Sequence, residues 1–129
     1  MHAGDFVSVA FFDELRRIGP QVEAVCGNMD EPALKASLPQ QRVVDVGDVR
    51  IGMVHDAGPR AGREARLAAR FEGCAAVVYG HTHLPQVEQF QHVWVLNPGS
   101  PTERRKAPTH TMLVLQIRGT RITPELVGL

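Results

Sequence analysis

Two histidines separated by one residue, in Gly80-His81-Thr82-His83, follow the apolar run Ala75-Ala76-Val77-Val78-Tyr79. Alternating histidines at the end of a buried strand put two imidazoles on a loop where metal can reach both. Upstream, in order, stand Gly4-Asp5, Gly27-Asn28-Met29-Asp30 and His55. Imidazole and carboxylate together suit zinc, manganese or iron, whereas a calcium site is built from oxygen alone. Taken singly, Asp5 is the kind of residue that shapes a turn, Asn28 one that sits in a loop, and His55 beside Asp56 a strand-end turn. The ordered set is what points to a metal-dependent hydrolase.

That set resembles the calcineurin-like metallophosphoesterase superfamily, whose pattern runs Asp-x-His, Gly-Asp, Gly-Asn-His-Asp/Glu, a single His and Gly-His-x-His. Leu96-Asn97-Pro98-Gly99-Ser100 narrows the resemblance to the small bacterial and archaeal phosphodiesterase branch, which also includes the retromer scaffold subunit. The likeness covers nearly the whole chain, with one departure: no Asp-x-His precedes Gly4-Asp5. It therefore implies an absent strand and helix of roughly 25–30 residues carrying that motif, and an N-terminally incomplete domain.

By the same resemblance Asp5 bridges two ions. Asn28, His55 and His81 complete one site, and only Asp5 and His83 remain for the other. The catalytic assignments fall on Asp5, Asn28 and His81. The implied cofactor is a divalent transition metal, manganese first, with zinc, iron or nickel also compatible; two ions fill the complete site and one is expected here. The implied reaction is hydrolysis of a phosphodiester by in-line attack of a metal-bound hydroxide. Met29 stands where many relatives have a histidine able to protonate the leaving oxygen, and a thioether cannot donate a proton. Aryl or nucleotide-type diesters then fit better than alkyl monoesters, with Asp30 or water as a substitute donor. The alternative is a catalytically inactive metal-binding or protein-interaction scaffold of the same fold, which has no need of His55, His81, His83 and Asn28.

The elements that must position these residues follow from patterning. With 129 residues at 43% apolar, the chain can bury the core of one domain, residues 1–129. Fourteen basic against 14 acidic residues leave no global pull toward nucleic acid or membrane. No apolar run is long enough for a transmembrane helix. Cys26 and Cys74 read as reduced thiols, and a cytoplasmic location is expected. The partner expected is a small phosphodiester or nucleotide-type molecule, and self-association is left open.

Helical spacing covers Phe11 to Ile18, stopped by Gly19-Pro20, and further helices are expected over Glu31 to Leu38 and Ala61 to Phe71. Strands are expected over Gln21 to Cys26 and Ala75 to Tyr79. Three hairpins pair Arg42–Val46 with Val49–Val54, Val87–Phe90 with Val93–Leu96, and Thr111–Ile117 with Arg121–Leu126. Together with the resemblance, this implies an α/β fold, a four-layer α/β/β/α sandwich of two mixed sheets. Asn97 and Ser100 read as organisers of a supporting turn. Arg104-Arg105-Lys106 reads as a solvated face, with phosphate steering as the alternative. His2, His92 and His110 fit no ligand position.

Overall fold

The computed structural model describes residues 1–5, 8–18, 21–103 and 105–129, and all structural statements below concern these. Three helices, α1 (Val9–Ile18), α2 (Pro32–Ser37) and α3 (Arg63–Arg70), accompany seven strands. The strands are β1 (Gln41–Val46), β2 (Val49–Val54), β3 (Ala76–Tyr79), β4 (Gln86–Phe90), β5 (Val93–Asn97), β6 (Thr111–Arg118) and β7 (Arg121–Gly128). The first five form one sheet in the order β1-β2-β3-β5-β4. Within it β2, β3 and β5 run parallel, and β1 and β4 close the edges antiparallel. The parallel run brings the C-terminal ends of β2, β3 and β5 to one edge of the sheet. His55, the Gly80–His83 loop and Pro98-Gly99-Ser100 all emerge there.

All four residues of β3 are buried, as a central strand covered on both faces requires. Strand alternation divides them between two cores. Val77 and Tyr79 join Val54 and Val95 against Leu67 and Phe71 on the α3 side. Ala76 and Val78 join Ile51 and Leu96 on the other face, against Leu113, Leu115, Ile117 and Ile122 of the β6–β7 hairpin. Leu67 is 1% exposed, so truncating it to alanine should cost about 2–5 kcal/mol.

A second patch lies on the hairpin side of the sheet. Val25 packs with Val44 and Met53, while its neighbour Ala24 faces the opposite way, toward Leu34, Val9, Phe12 and Leu15. The extended segment around Ala24 is thus held between the sheet and helices α1 and α2. The layers in order are α3, the five-stranded sheet, the second layer of β6–β7 and this segment, and then α1 with α2. The expected α/β/β/α sandwich is observed.

Gln21–Cys26 departs from expectation, for it forms a single parallel bridge, Ala24 to His2, and not a full strand. A ladder needs an extended partner of similar length. His2 exchanges two backbone bonds with Glu23 and Val25, but Gly4 and Asp5 then turn away at φ +100° and +60°, and Cys26 N–H goes to the Pro39 carbonyl instead. Helix α1 begins two residues before Phe11, because Phe12 N–H already donates to the Ser8 carbonyl and Glu31 accepts from Val9 N–H at 3.4 Å. Its expected stop at Gly19-Pro20 lies outside the described residues. Helix α3 begins at Arg63, since Gly62 has φ +70° and cannot sit inside a helix. Among the described residues no helix is long and apolar enough to cross a membrane.

Candidate metal centre

Asp5, Asn28, His55 and His81 come from four separate segments and meet at the C-terminal edge of the sheet. His55 follows β2 and is buried. Its Nδ1 lies 2.6 Å from the Ala3 carbonyl oxygen, which can only accept, so this nitrogen carries the proton. In the neutral ring Nε2 then presents a lone pair. That lone pair faces Asn28 Oδ1 at 2.8 Å and Asp5 Oδ2 at 3.2 Å. His81 Nδ1 reaches the same Asn28 oxygen at 3.2 Å, and the His55 and His81 rings meet edge to face with centroids 5.3 Å apart.

The two oxygens of Asp5 are not equivalent. Oδ1 accepts Met29 N–H at 2.8 Å, whereas Oδ2 is buried without a hydrogen-bond donor. Turning the Asn28 amide would give the two rings a donor, yet Asp5 Oδ2 would still face an imidazole lone pair. A buried carboxylate oxygen in that position costs on the order of 1–3 kcal/mol or more unless a cation is supplied. This orphaned oxygen, with imidazole nitrogen and amide oxygen around it, is a donor set that fits a divalent transition metal.

Backbone geometry also concentrates here. Five non-glycine residues have left-handed φ, and three of them are Asp5 (+60°), His81 (+68°) and His83 (+59°). Strain of this kind costs about 1–3 kcal/mol per residue and persists where the surroundings over-determine it. The glycines of the motifs serve close approach. A Cβ on Gly27 would stand 2.2 Å from both Asp5 N and Asp5 Oδ1, and one on Gly4 would stand 2.7 Å from His55 Nδ1.

His83 has a backbone partner of its own. Its Nδ1 donates to the Glu103 carbonyl, which leaves Nε2 with the lone pair, the same tautomer that Ala3 imposes on His55. Among the described residues no three His, Cys, Asp or Glu side chains form a ready-made metal cluster. The tight group is Asp5, Asn28 and His55, with His81 at its rim.

Several supporting residues complete the arrangement. Asn97, fully buried at the end of β5, donates to the Gly80 carbonyl and to Thr82 Oγ1, and its own Oδ1 accepts from Gly99 N–H. It pins the histidine loop to the sheet. Arg105, itself at φ +50°, donates to the His81 carbonyl at 2.9 Å. Arg104 lies outside the described residues. Asp30 does not fit the substitute proton donor suggested by the sequence: it is buried, and its Oδ2 accepts Gly27 N–H at 2.7 Å, shaping the turn that carries Asn28. Met29 exposes its side chain and contributes its backbone N–H to Asp5. Burial pushes the His2 imidazole down to about 4, only partly offset by the Asp30 charge. Gly4 N–H donates to its Nδ1. His92 lies with Trp94 and Arg121 around a cavity of about 490 Å³ at the opposite end of β3 and β5, and none of the motif residues reaches it.

Residues 1–120 match the family model of the calcineurin-like phosphoesterase superfamily domain. The chain belongs to that superfamily. A probable metallophosphoesterase of Methanothermobacter thermautotrophicus is 33% identical over 129 residues, a match covering 98% of this chain and 73% of the relative. Another, from Methanocaldococcus jannaschii, is 32% identical over 91% of this chain, which spans only 59% of that relative. Two solved structures share the fold at 22% identity. One, described as a novel archaeal phosphodiesterase, has a TM-score of 0.76 and covers 98% of this chain and 81% of its own. The other, Vps29 of Entamoeba histolytica complexed with zinc, has a TM-score of 0.73 and covers 94% and 76%.

In this member of the calcineurin-like phosphoesterase superfamily, the sequence motifs include every member of the close group. They miss the Ala3 and Glu103 carbonyls that set the histidine tautomers, because backbone partners leave no residue-type signal. They also miss the use of Asp30, although the Gly-Asn-x-Asp spacing is one in which a carboxylate can turn back on the N–H three residues earlier.

Proposed function

We propose that this chain carries the metal centre of a phosphodiesterase acting on a small phosphodiester. The buried Asp5 Oδ2, which faces the His55 lone pair with no donor, carries the reading. Asp5, Asn28, His55 and His81 would hold one divalent ion, manganese in the first instance, and Asp5 with His83 is what the chain offers a second. Bound there, the cation would stabilise charge on the phosphoryl oxygens and activate water. The chain's own residues do the rest. The Ala3 carbonyl fixes the His55 ring, and Asn97 fixes the loop that carries His81, so less reorganisation is needed to bind the ion. Met29 offers no proton to the departing oxygen, which favours substrates whose leaving group is stable as an anion, such as aryl or nucleotide-type diesters.

The test is release of 4-nitrophenol from bis(4-nitrophenyl) phosphate with manganese present. Turnover that disappears in Asp5→Asn supports the reading. Turnover equal in the two proteins contradicts it. That the chain offers a second ion only Asp5 and His83 favours a second reading, a non-catalytic scaffold that binds one metal. That reading predicts metal binding without turnover in the same assay.

A further inference from the structure

Behind Asn28 and His55 lies a cavity of about 340 Å³, which opens between α2 and α3. Lys35 from the last turn of α2 and Arg70 from the last turn of α3 both line it, together with Gln40 and Asp56. A cation at a helix C-terminus is favoured by the helix dipole, which accounts for each residue on its own helix. It does not account for two helices aiming theirs at one cavity. In a chain with no net charge, this is a local excess beside the candidate ligands.

Among the described residues neither cation is in an ion pair. The ion pairs of Lys or Arg with a carboxylate among these residues are Arg42–Glu23 and Arg50–Asp45, and they leave out Lys35 and Arg70. Asp56, whose Oδ1 accepts Gly58 N–H at 2.9 Å, is the one carboxylate in the cavity wall, and against it the two cations leave one positive charge in excess. Arg70 is held in place: its Nε–H donates to Gln41 Oε1 at 2.6 Å, and its guanidinium stands 5.7 Å from the centroid of Phe71. Two fixed or unpaired cations, an amide and a space large enough for an aryl ring or a sugar are a site for an anionic group.

We propose that this cavity is the subsite for a negatively charged arm of the substrate, so that the preferred phosphodiester carries a second anionic group, carboxylate or phosphate, on the arm that is not expelled. The proposal rests on the phosphodiesterase reading above. It is tested with two diesters that release the same 4-nitrophenolate: bis(4-nitrophenyl) phosphate, and the mixed diester whose other arm is 4-carboxyphenyl. A shared leaving group makes the ratio of their kcat/KM values a measure of the retained arm alone.

The wild type should favour the carboxylated diester. Lys35→Met should lower that ratio about tenfold, mainly through KM, and Lys35→Glu with Arg70→Glu should reverse the preference. Free terephthalate, whose two carboxylates flank one ring, should inhibit the wild type more strongly than Lys35→Met. An unchanged ratio in both variants, with bis(4-nitrophenyl) phosphate still hydrolysed, overturns the subsite and leaves the phosphodiesterase reading standing. No hydrolysis of either diester by the wild type overturns both.

Discussion

Replacing Gly27 by alanine would place a methyl group 2.2 Å from Asp5 N and 2.2 Å from Asp5 Oδ1. Neither atom can yield alone, since one is backbone and the other is tied to Met29 N–H at 2.8 Å. Gly27 does not have positive φ, so the penalty comes from overlap and not from backbone strain. Relieving it means moving the Gly4-Asp5 turn by roughly an ångström, an overpacking change of about 1–3 kcal/mol, plus about 1 kcal/mol for a weakened bond from Met29 N–H to the carboxylate. The total is about 2–4 kcal/mol. Gly128→Ala is the control, because nothing lies within 4 Å of its added Cβ and its φ is unremarkable. Urea unfolding of both variants, with chelator present, reads the stability difference, and manganese titration reads the site. Gly27→Ala should lose both stability and metal affinity, while Gly128→Ala should match the wild type within about 0.5 kcal/mol. Two variants alike in stability and in affinity would refute the claim that the motif glycine exists to let Asp5 approach.

Asn97→Ala should cost about 1–3 kcal/mol and weaken metal binding, because the Gly80 carbonyl and Thr82 hydroxyl lose their clamp; parallel denaturation and manganese titration measure both. The unfolded state binds a proton at His2 near pH 6.5, whereas burial holds the folded pKa near 4, so stability should fall as pH drops through that window. The loss attributable to His2 is up to about 3 kcal/mol, and in chelator the difference between wild type and His2→Asn, followed by urea midpoints from pH 7 to 4, isolates it. Met29→His should raise turnover of an alkyl phosphodiester relative to an aryl one by supplying a proton donor; a rate ratio unmoved by the substitution would remove the side chain from the mechanism.

Hairpins and amphipathic helices were the legible part of the fold. Each expected hairpin pairs within two residues of its expected bounds, because turn residues and period-two patterning are local signals. Gln21–Cys26 carries the apolar content of a strand, but strand formation depends on a partner elsewhere in the chain, and His2 offers one bridge only. The site divides in the same way. Residue types at motif spacing marked Asp5, Asn28, His55 and His81, which the fold gathers. The tautomer of His83 depends on the loop that carries Glu103, and nothing at His81-Thr82-His83 announces that carbonyl. Lys35 and Arg70 escaped notice for a related reason: 35 residues of sequence separate two cations that tertiary packing brings to one cavity.

The central claim is that Asp5 Oδ2, Asn28 Oδ1 and His55 Nε2 converge to hold a cation, and manganese titration of the purified chain tests it most directly. The expected result is roughly one equivalent bound, with affinity falling at least about tenfold in both Asp5→Asn and His55→Ala and much less in His83→Ala. Circular dichroism of each variant establishes that it is folded. Manganese binding with undiminished affinity in folded Asp5→Asn and His55→Ala, or no binding by the wild type at millimolar metal, would contradict the account.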